Sequence, residues 1–144
     1  MRGTTRRKEL DLSRVRAAIE DAERRTSAEI VVSVAPFFVG SVWRAARRAF
    51  DHLRVADTQR RNGVLVFVVP ARRDVIVLAD DGAYARFDPG FWQDIASRVA
   101  EDFARGDGTA GLVGGIDQLA SALAGPFPRT AADVNELPDQ PSEG

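Results

Sequence analysis

Two short apolar runs joined by a charged turn constrain the fold of this chain more than any other feature. The runs span residues 64–69 and 75–79, and both are rich in Val, Leu and Ile. Because they are short and β-branched, they predict buried strands rather than helices. The segment 70–74 between them holds a Pro and charged residues, which indicates a hairpin. Buried strands need cover on their faces, so the flanking segments are expected to pack on this hairpin.

The segments around the hairpin carry helical and strand patterns in turn. Apolar residues spaced by three and four predict helices at 10–26, 41–53, 89–105 and 109–123, and the segment 29–35 predicts a further strand. The first strand, its crossover helix and the second strand should form a right-handed parallel unit, and the hairpin makes the third strand antiparallel. The order helix-strand-helix-strand-strand-helix-helix therefore predicts an α/β fold, an α/β/α sandwich with a small mixed β-sheet.

The apolar stripes also predict which side chains are buried. On the first two helices these are Leu12, Val15, Ile19, Ala22, Val42, Ala45, Ala46, Ala49, Phe50 and Leu53. Trp43 and Trp92 are predicted to be packing residues, because no basic stripe surrounds them. Asp11 or Ser13 is expected to cap the first helix, and Ser41 the second.

Composition divides the chain into one domain with two charged ends. Residues 1–9 form a basic tail, residues 10–125 the α/β domain, and residues 126–144 a Pro-rich acidic arm. Phe127, Val134 and Leu137 are expected to lay part of this arm on the domain surface. A partner or a second copy docking on the arm is one hypothesis for its role.

Charge and composition narrow the function classes. The net charge of −1 gives no global field that would favour nucleic acid or an anionic membrane. The absence of cysteine excludes thiol catalysis and cysteine metal sites. With no run long enough to span a bilayer and no signal-peptide pattern, we expect neither membrane insertion nor export. A cytoplasmic protein with an unidentified protein partner is the expectation.

Three stretches together resemble the TPM domain family. The segment 26–32, TSAEIVV, is similar to its opening "T-S-x-E-I-x-V", and residues 61–65, RNGVL, match a second signature. The segment 103–116, FARGDGTAGLVGGI, resembles a third: an aromatic residue, a glycine-acid turn and a glycine-rich helix. Residues 81–85, DGAYA, depart from the usual "G-Y-G-L-E" after the third strand. Roles of that loop in other members are therefore not carried over.

The resemblance implies an α/β/α sandwich, in agreement with the pattern of elements. It also implies binding of divalent cations, mostly calcium, in some members. Weak acid-phosphatase activity in a plant member is a further implication, and it does not extend to the family as a whole. Two function classes follow: a non-catalytic binding or assembly module, and alternatively a weak metal-assisted acid phosphatase.

The predicted topology gathers acidic residues at one edge of the sheet. Asp80 and Asp81 end the third strand, and the antiparallel hairpin returns them to the starts of the first two strands, near Glu29 and Arg61. Asp88, at the start of the third helix, is expected at the same edge. Calcium takes six to eight oxygen ligands, so Asp80 and Asp81, helped by Glu29 or Asp88, form a hypothetical calcium site.

Ordinary structural roles are the alternative for these residues. Glu29 then pairs with Arg61, Asp88 caps a helix, and the two aspartates form a solvated turn. Asp107, between two glycines, is either a second metal ligand or, more simply, support for a turn.

His52 is the sole histidine and is expected on the surface, and Arg44, Arg47 and Arg48 form a small basic helix face.

Overall fold

The computed structural model describes residues 9–36, 40–53 and 61–129 of the 144-residue chain. Within them the order of elements is the one expected from the sequence, with a 3₁₀ turn at Pro70–Arg72 in the hairpin and one short helix after the third strand added. The helices and strands are α1 (Leu12–Arg25), β1 (Glu29–Val34), α2 (Val42–His52), β2 (Gly63–Val69), β3 (Asp74–Ala79), α3 (Asp81–Tyr84), α4 (Pro89–Ala104) and α5 (Gly108–Leu123).

The three strands form the mixed sheet that the sequence predicts. β1 runs parallel to β2, with Glu29 opposite Gly63, and β3 runs antiparallel to β2, with Ala79 opposite Val64. β2 is therefore the central strand, and all seven of its residues are buried. This explains why its sequence is uniformly apolar, since both of its faces are covered.

Helices cover both faces of the sheet, which makes the fold an α/β/α sandwich. Val64, Val66 and Val68 point into a core shared with α1, α4 and α5. Leu65 and Phe67 point the other way, into a smaller core closed by α2. Successive strand side chains alternate between faces, so one uniformly apolar strand serves both cores.

Side-chain caps fix where the first two helices begin. The Asp11 carboxylate accepts hydrogen bonds from the backbone N–H of Ser13 and Arg14, and Ser41 Oγ accepts one from Arg44. These caps satisfy donors that have no partner within the first helical turn. Of the two capping candidates for α1, the structure selects Asp11.

Three large apolar side chains predicted to be buried or packed are exposed instead. Leu12 is 59% exposed, Trp43 53% and Leu53 44%. Leu12 and Trp43 lie in the first turns of α1 and α2, and Leu53 lies at the end of α2. Helical periodicity identifies the face of a side chain, but burial also needs a neighbour at that height along the helix axis.

Helices α4 and α5 pack closely through a stripe of small residues on α5. A Cβ added at Gly115 would lie 2.7 Å from Cγ2 of Val99, and one added at Gly111 would lie 2.7 Å from Oδ2 of Asp102. Gly114, on the outer side of α5, has no such neighbour within 4 Å. The inward-facing glycines therefore allow the close approach, as their presence in the sequence suggested.

The start of the Pro-rich arm belongs to the main core. Phe127 is buried in the core shared by α1, α4 and α5. Its carbonyl oxygen accepts hydrogen bonds from the Ser27 backbone N–H at 2.9 Å and from Thr26 Oγ1 at 2.6 Å. Residues 130–144, including Val134 and Leu137, lie outside the described residues, so the role of the arm stays a prediction.

Removing the buried hydroxyl of Thr26 should destabilise the domain. Thr26→Val is expected to lower the free energy of unfolding by about 1–3 kcal/mol, the usual cost of a buried polar group left unpaired. The variant loses the bond to the Phe127 carbonyl and leaves the Ala28 N–H, which donates to Thr26 Oγ1, without a partner. Urea denaturation measures the change.

Thr109→Val is the matched control for Thr26→Val. Its hydroxyl oxygen accepts a hydrogen bond from the Asp11 N–H in an exposed position, where water replaces the lost partner. Its effect should stay below about 1 kcal/mol. Equal losses in the two variants would contradict the role assigned to burial at Thr26.

An arginine fastens the end of α1 to α5. Arg25 makes ion pairs with Asp117 at 2.6 Å and Asp21 at 3.2 Å, and donates a hydrogen bond to Ser121 Oγ. Hydrogen bonds to Asp117 and then Asp21 raise the pKa of Arg25, which stays charged throughout the accessible pH range. This contact holds the chain in position just before β1.

Candidate acidic site at the amino edge of the sheet

Residues at three strand ends meet at one edge of the sheet. We call this the amino edge and define it by Glu29, Arg61–Gly63 and Asp80–Asp81. Glu29 is opposite Gly63 in the parallel pair, and the Asp80 N–H donates to the Gly63 carbonyl at 2.8 Å. Gly63 therefore lies between them, and two strand spacings put the Glu29 and Asp80 backbones about 10 Å apart.

Asp80 is the buried member of this edge, with 5% of its surface exposed. Its Oδ1 accepts hydrogen bonds from the Asp81 backbone N–H at 2.8 Å and from Arg61 Nη2 at 3.1 Å. The first of these bonds caps α3. Its Oδ2 lies 2.9 Å from Arg61 Nε, but at an angle that makes no hydrogen bond.

Arg61 is the partner of both aspartates at this edge. Besides its pair with Asp80, its Nη2 lies 3.7 Å from Oδ2 of Asp81. Its backbone adopts a positive φ of 54°, and its carbonyl oxygen accepts the Ala83 N–H at 3.1 Å. The alternative prediction from the sequence was an ion pair between Arg61 and Glu29. In the structure the carboxylate partners of Arg61 are Asp80 and Asp81.

The other predicted ligands are more exposed. The Asp81 side chain is 94% exposed, and Glu29 is exposed at the start of β1. Asp88 occupies the N-cap position of α4 before Pro89, but its side chain makes no capping hydrogen bond. Among residues 9–36, 40–53 and 61–129, no three Asp, Glu or His side chains gather closely enough to hold a metal ion. As arranged, the edge is an ion pair with accessible carboxylates around it.

An aromatic cluster that the sequence did not predict as a unit holds this edge in place. The Tyr84 ring stacks on Trp92, with centroids 6.2 Å apart, and Phe87 stacks on Phe91 at 4.4 Å. These contacts fasten α3 and the following turn to the first turn of α4. Phe87 precedes the N-cap Asp88 and Trp92 is the fourth residue of α4, which is the spacing of a hydrophobic staple at a helix start, and this spacing was the available signal.

The remaining candidates lie away from the amino edge. His52 is exposed at the end of α2, and Arg47 on the same helix lies 3.9 Å from Asp51. Asp107 is the N-cap residue of α5, with no side-chain capping bond, in the turn where it was expected. The described helices include none with the length and apolar character needed to cross a membrane.

Comparisons with known proteins agree with the fold. The model of the TPM domain family matches residues 8–122. The solution structure of BA42 from the psychrophilic bacterium Bizionia argentinensis is 31% identical, with a TM-score of 0.78, and the match covers 95% of this chain and 97% of that one.

A second solved structure is more distant. The N-terminal domain of a protein from P. gingivalis is 21% identical, with a TM-score of 0.62, over 80% of this chain and 72% of that one. At this identity the likeness concerns the fold alone. No match was found among curated proteins.

Proposed function

Because this chain belongs to the TPM domain family, we propose that it is a non-catalytic binding and assembly module whose amino edge takes up calcium when Arg61 leaves Asp80. One observation carries the proposal. Among the described residues, Asp80 Oδ2 is buried without a hydrogen-bond donor, and the Arg61 guanidinium, whose Nε lies 2.9 Å away, is its counter-charge. A buried carboxylate oxygen of this kind requires a cation beside it.

The donor set of the edge suits a hard cation. Asp80 and Asp81 supply carboxylate oxygens, and Glu29 and Asp88 are exposed acids at the starts of β1 and α4. Calcium accepts such irregular oxygen sets and completes its shell with water and backbone carbonyls. Bound there, it would supply two positive charges where Arg61 now supplies one. The cap on α3 would keep the Asp80 carboxylate in position, and the Arg61 side chain, which is 56% exposed, would move into solvent.

Calorimetric calcium titrations of wild type and variants test this exchange. Wild type should release or absorb heat, and Asp80→Asn/Asp81→Asn should not. Arg61→Gln should bind calcium at least about fivefold more tightly, because calcium no longer has to displace a guanidinium whose attraction to a carboxylate is worth about 1 kcal/mol even in water and more at a partly buried site. No heat from either wild type or Arg61→Gln would contradict the proposal.

Two controls keep the titration interpretable. Asp81→Asn alone changes a side chain that is 94% exposed, so it weakens binding without disturbing the fold. Thermal unfolding of each variant shows that it is folded. Aryl-phosphate hydrolysis across acid pH, with and without chelator, is measured on the same samples. Activity lost in Asp80→Asn/Asp81→Asn would replace the binding module with a metal-assisted phosphatase.

A further inference from the structure

A cavity of about 690 Å³ opens at the opposite edge of the sheet. Val34 is the last residue of β1, Pro36 lies just beyond it, and Pro70 follows the end of β2, so the cavity lies at the carboxyl ends of the parallel strands. Its other walls are the first turn of α1 and the turn between α4 and α5. Strands of six or seven residues separate it from Asp80 by about 20 Å.

Position and size both favour a binding role. In open α/β sheets, ligands bind outside the carboxyl ends of the strands. Binding cavities commonly measure about 300–1,000 Å³ and have mainly apolar walls with a few polar groups. This cavity lies within that range.

The walls present apolar side chains to solvent. Leu12 is 59% exposed and Val34 37%, and both line the cavity together with Pro36, Pro70 and Phe103. Large apolar groups gathered in one exposed surface indicate an interaction site. An occupant therefore needs a bulky apolar group.

The charges around the cavity favour a cationic occupant. Among the described residues, three acids line it, Glu9, Asp11 and Asp107, against one basic residue, Arg14. The Asp11 carboxylate is engaged in capping α1, whereas Asp107 makes no side-chain capping bond. Its carboxylate is thus available to a ligand at the rim.

We propose that this cavity binds a basic segment of a partner protein that alternates bulky apolar residues with arginine or lysine. An apolar side chain fills the space between Leu12, Val34 and Phe103, and a neighbouring cation pairs with Asp107. This inference rests on the proposed role as a binding module and names the chemistry of its partner. It does not involve calcium, so the two proposals can fail separately.

Fluorescence anisotropy with a labelled six-residue peptide of alternating leucine and arginine, in the presence of EDTA, tests the inference. The peptide should bind the full-length protein, and binding should weaken between about 50 and 500 mM salt. A peptide with glutamate in place of arginine, and one with serine in place of leucine, should each bind at least about tenfold more weakly. Equal binding of all three peptides, or no binding of the first, would overturn the proposal.

Two variants locate the binding. Asp107→Asn and Leu12→Ser should each lower the affinity for the leucine–arginine peptide about tenfold. The first removes one charge-assisted hydrogen bond, and the second removes one apolar contact surface. Both residues are exposed, so the fold should survive, and thermal unfolding checks this. Asp94→Asn, an exposed change on α4 outside the cavity, should bind like wild type. Unchanged affinity in Asp107→Asn and Leu12→Ser would contradict the assigned site.

Other occupants give distinguishable results. If a second copy of this protein fills the cavity, native mass spectrometry should show a dimer, and the Leu12→Ser variant should be monomeric. If the chain covers its own cavity, the peptide binds only to the Phe37→Ser/Phe38→Ser variant, whose substitutions follow Pro36 directly. Either result would overturn the assignment to a partner segment.

Discussion

Gly111→Ala should lower the free energy of unfolding by about 1–3 kcal/mol, the usual cost of overpacking a well-packed interface. The new Cβ would lie against Cβ of Asp102, closer than non-bonded carbons approach, and 2.7 Å from its Oδ2. Because the Asp102 Cβ is attached directly to the backbone of α4, it cannot rotate away. The two helices must move apart, and the loss exceeds the gain in helix propensity, which is at most about 1 kcal/mol.

Gly114→Ala on the same helix is the matched control. Nothing lies within 4 Å of its added Cβ, and the residue is exposed. Only helix propensity changes, so this variant should be more stable than wild type by up to about 1 kcal/mol. Urea denaturation of the pair measures the difference. Changes of the same sign in both variants would show that close packing of α4 on α5 does not require Gly111.

Leu65→Ala should lower the free energy of unfolding by about 2–5 kcal/mol, the range for truncating a large buried aliphatic side chain. Leu65 is fully buried in the central strand, and it fills the smaller core between the sheet and α2. That core has few other large members, among them Phe50 and Phe67. With α2 as its only described helical cover, we expect incomplete collapse around the lost side chain and a cost within this range.

Leu53→Ala is the control, because it truncates an exposed leucine in place of a buried one. The side chain is 44% exposed at the end of α2, so its truncation should change stability by about 0.5 kcal/mol or less. Thermal and urea unfolding of both variants provide the comparison. A Leu65→Ala variant as stable as Leu53→Ala would contradict the two-core description of the sheet.

The sequence was most informative where one physical signal dominated. The uniformly apolar segment 64–69 predicted β2 within one residue of its observed start, because a strand covered on both faces admits no polar side chain. The parallel and antiparallel pairings followed from chain order. These pairings correctly brought Asp80 next to the start of β2.

Sequence reasoning failed where a tertiary contact decided the result. The helix α3 has four residues, too few for a periodic pattern, and depends on the Asp80 cap and the stacking of Tyr84 on Trp92. The exposure of Leu12 follows from the open space beyond β1 and β2, which no local pattern reports. Likewise, the sequence placed three acids near Arg61, namely Glu29, Asp80 and Asp81. The structure shows that Asp80 and Asp81 are the ones that pair with it.

A calcium titration followed by the amide resonances of the ¹⁵N-labelled protein tests the proposed exchange of Arg61 for calcium at the amino edge. Saturable shifts are expected at Gly63 and at residues 81–83, whose backbone hydrogen bonds involve Asp80 and Arg61. Resonances of the turn at 106–109 should stay in place. Shifts confined to that turn, or no shifts at millimolar calcium, would contradict the claim.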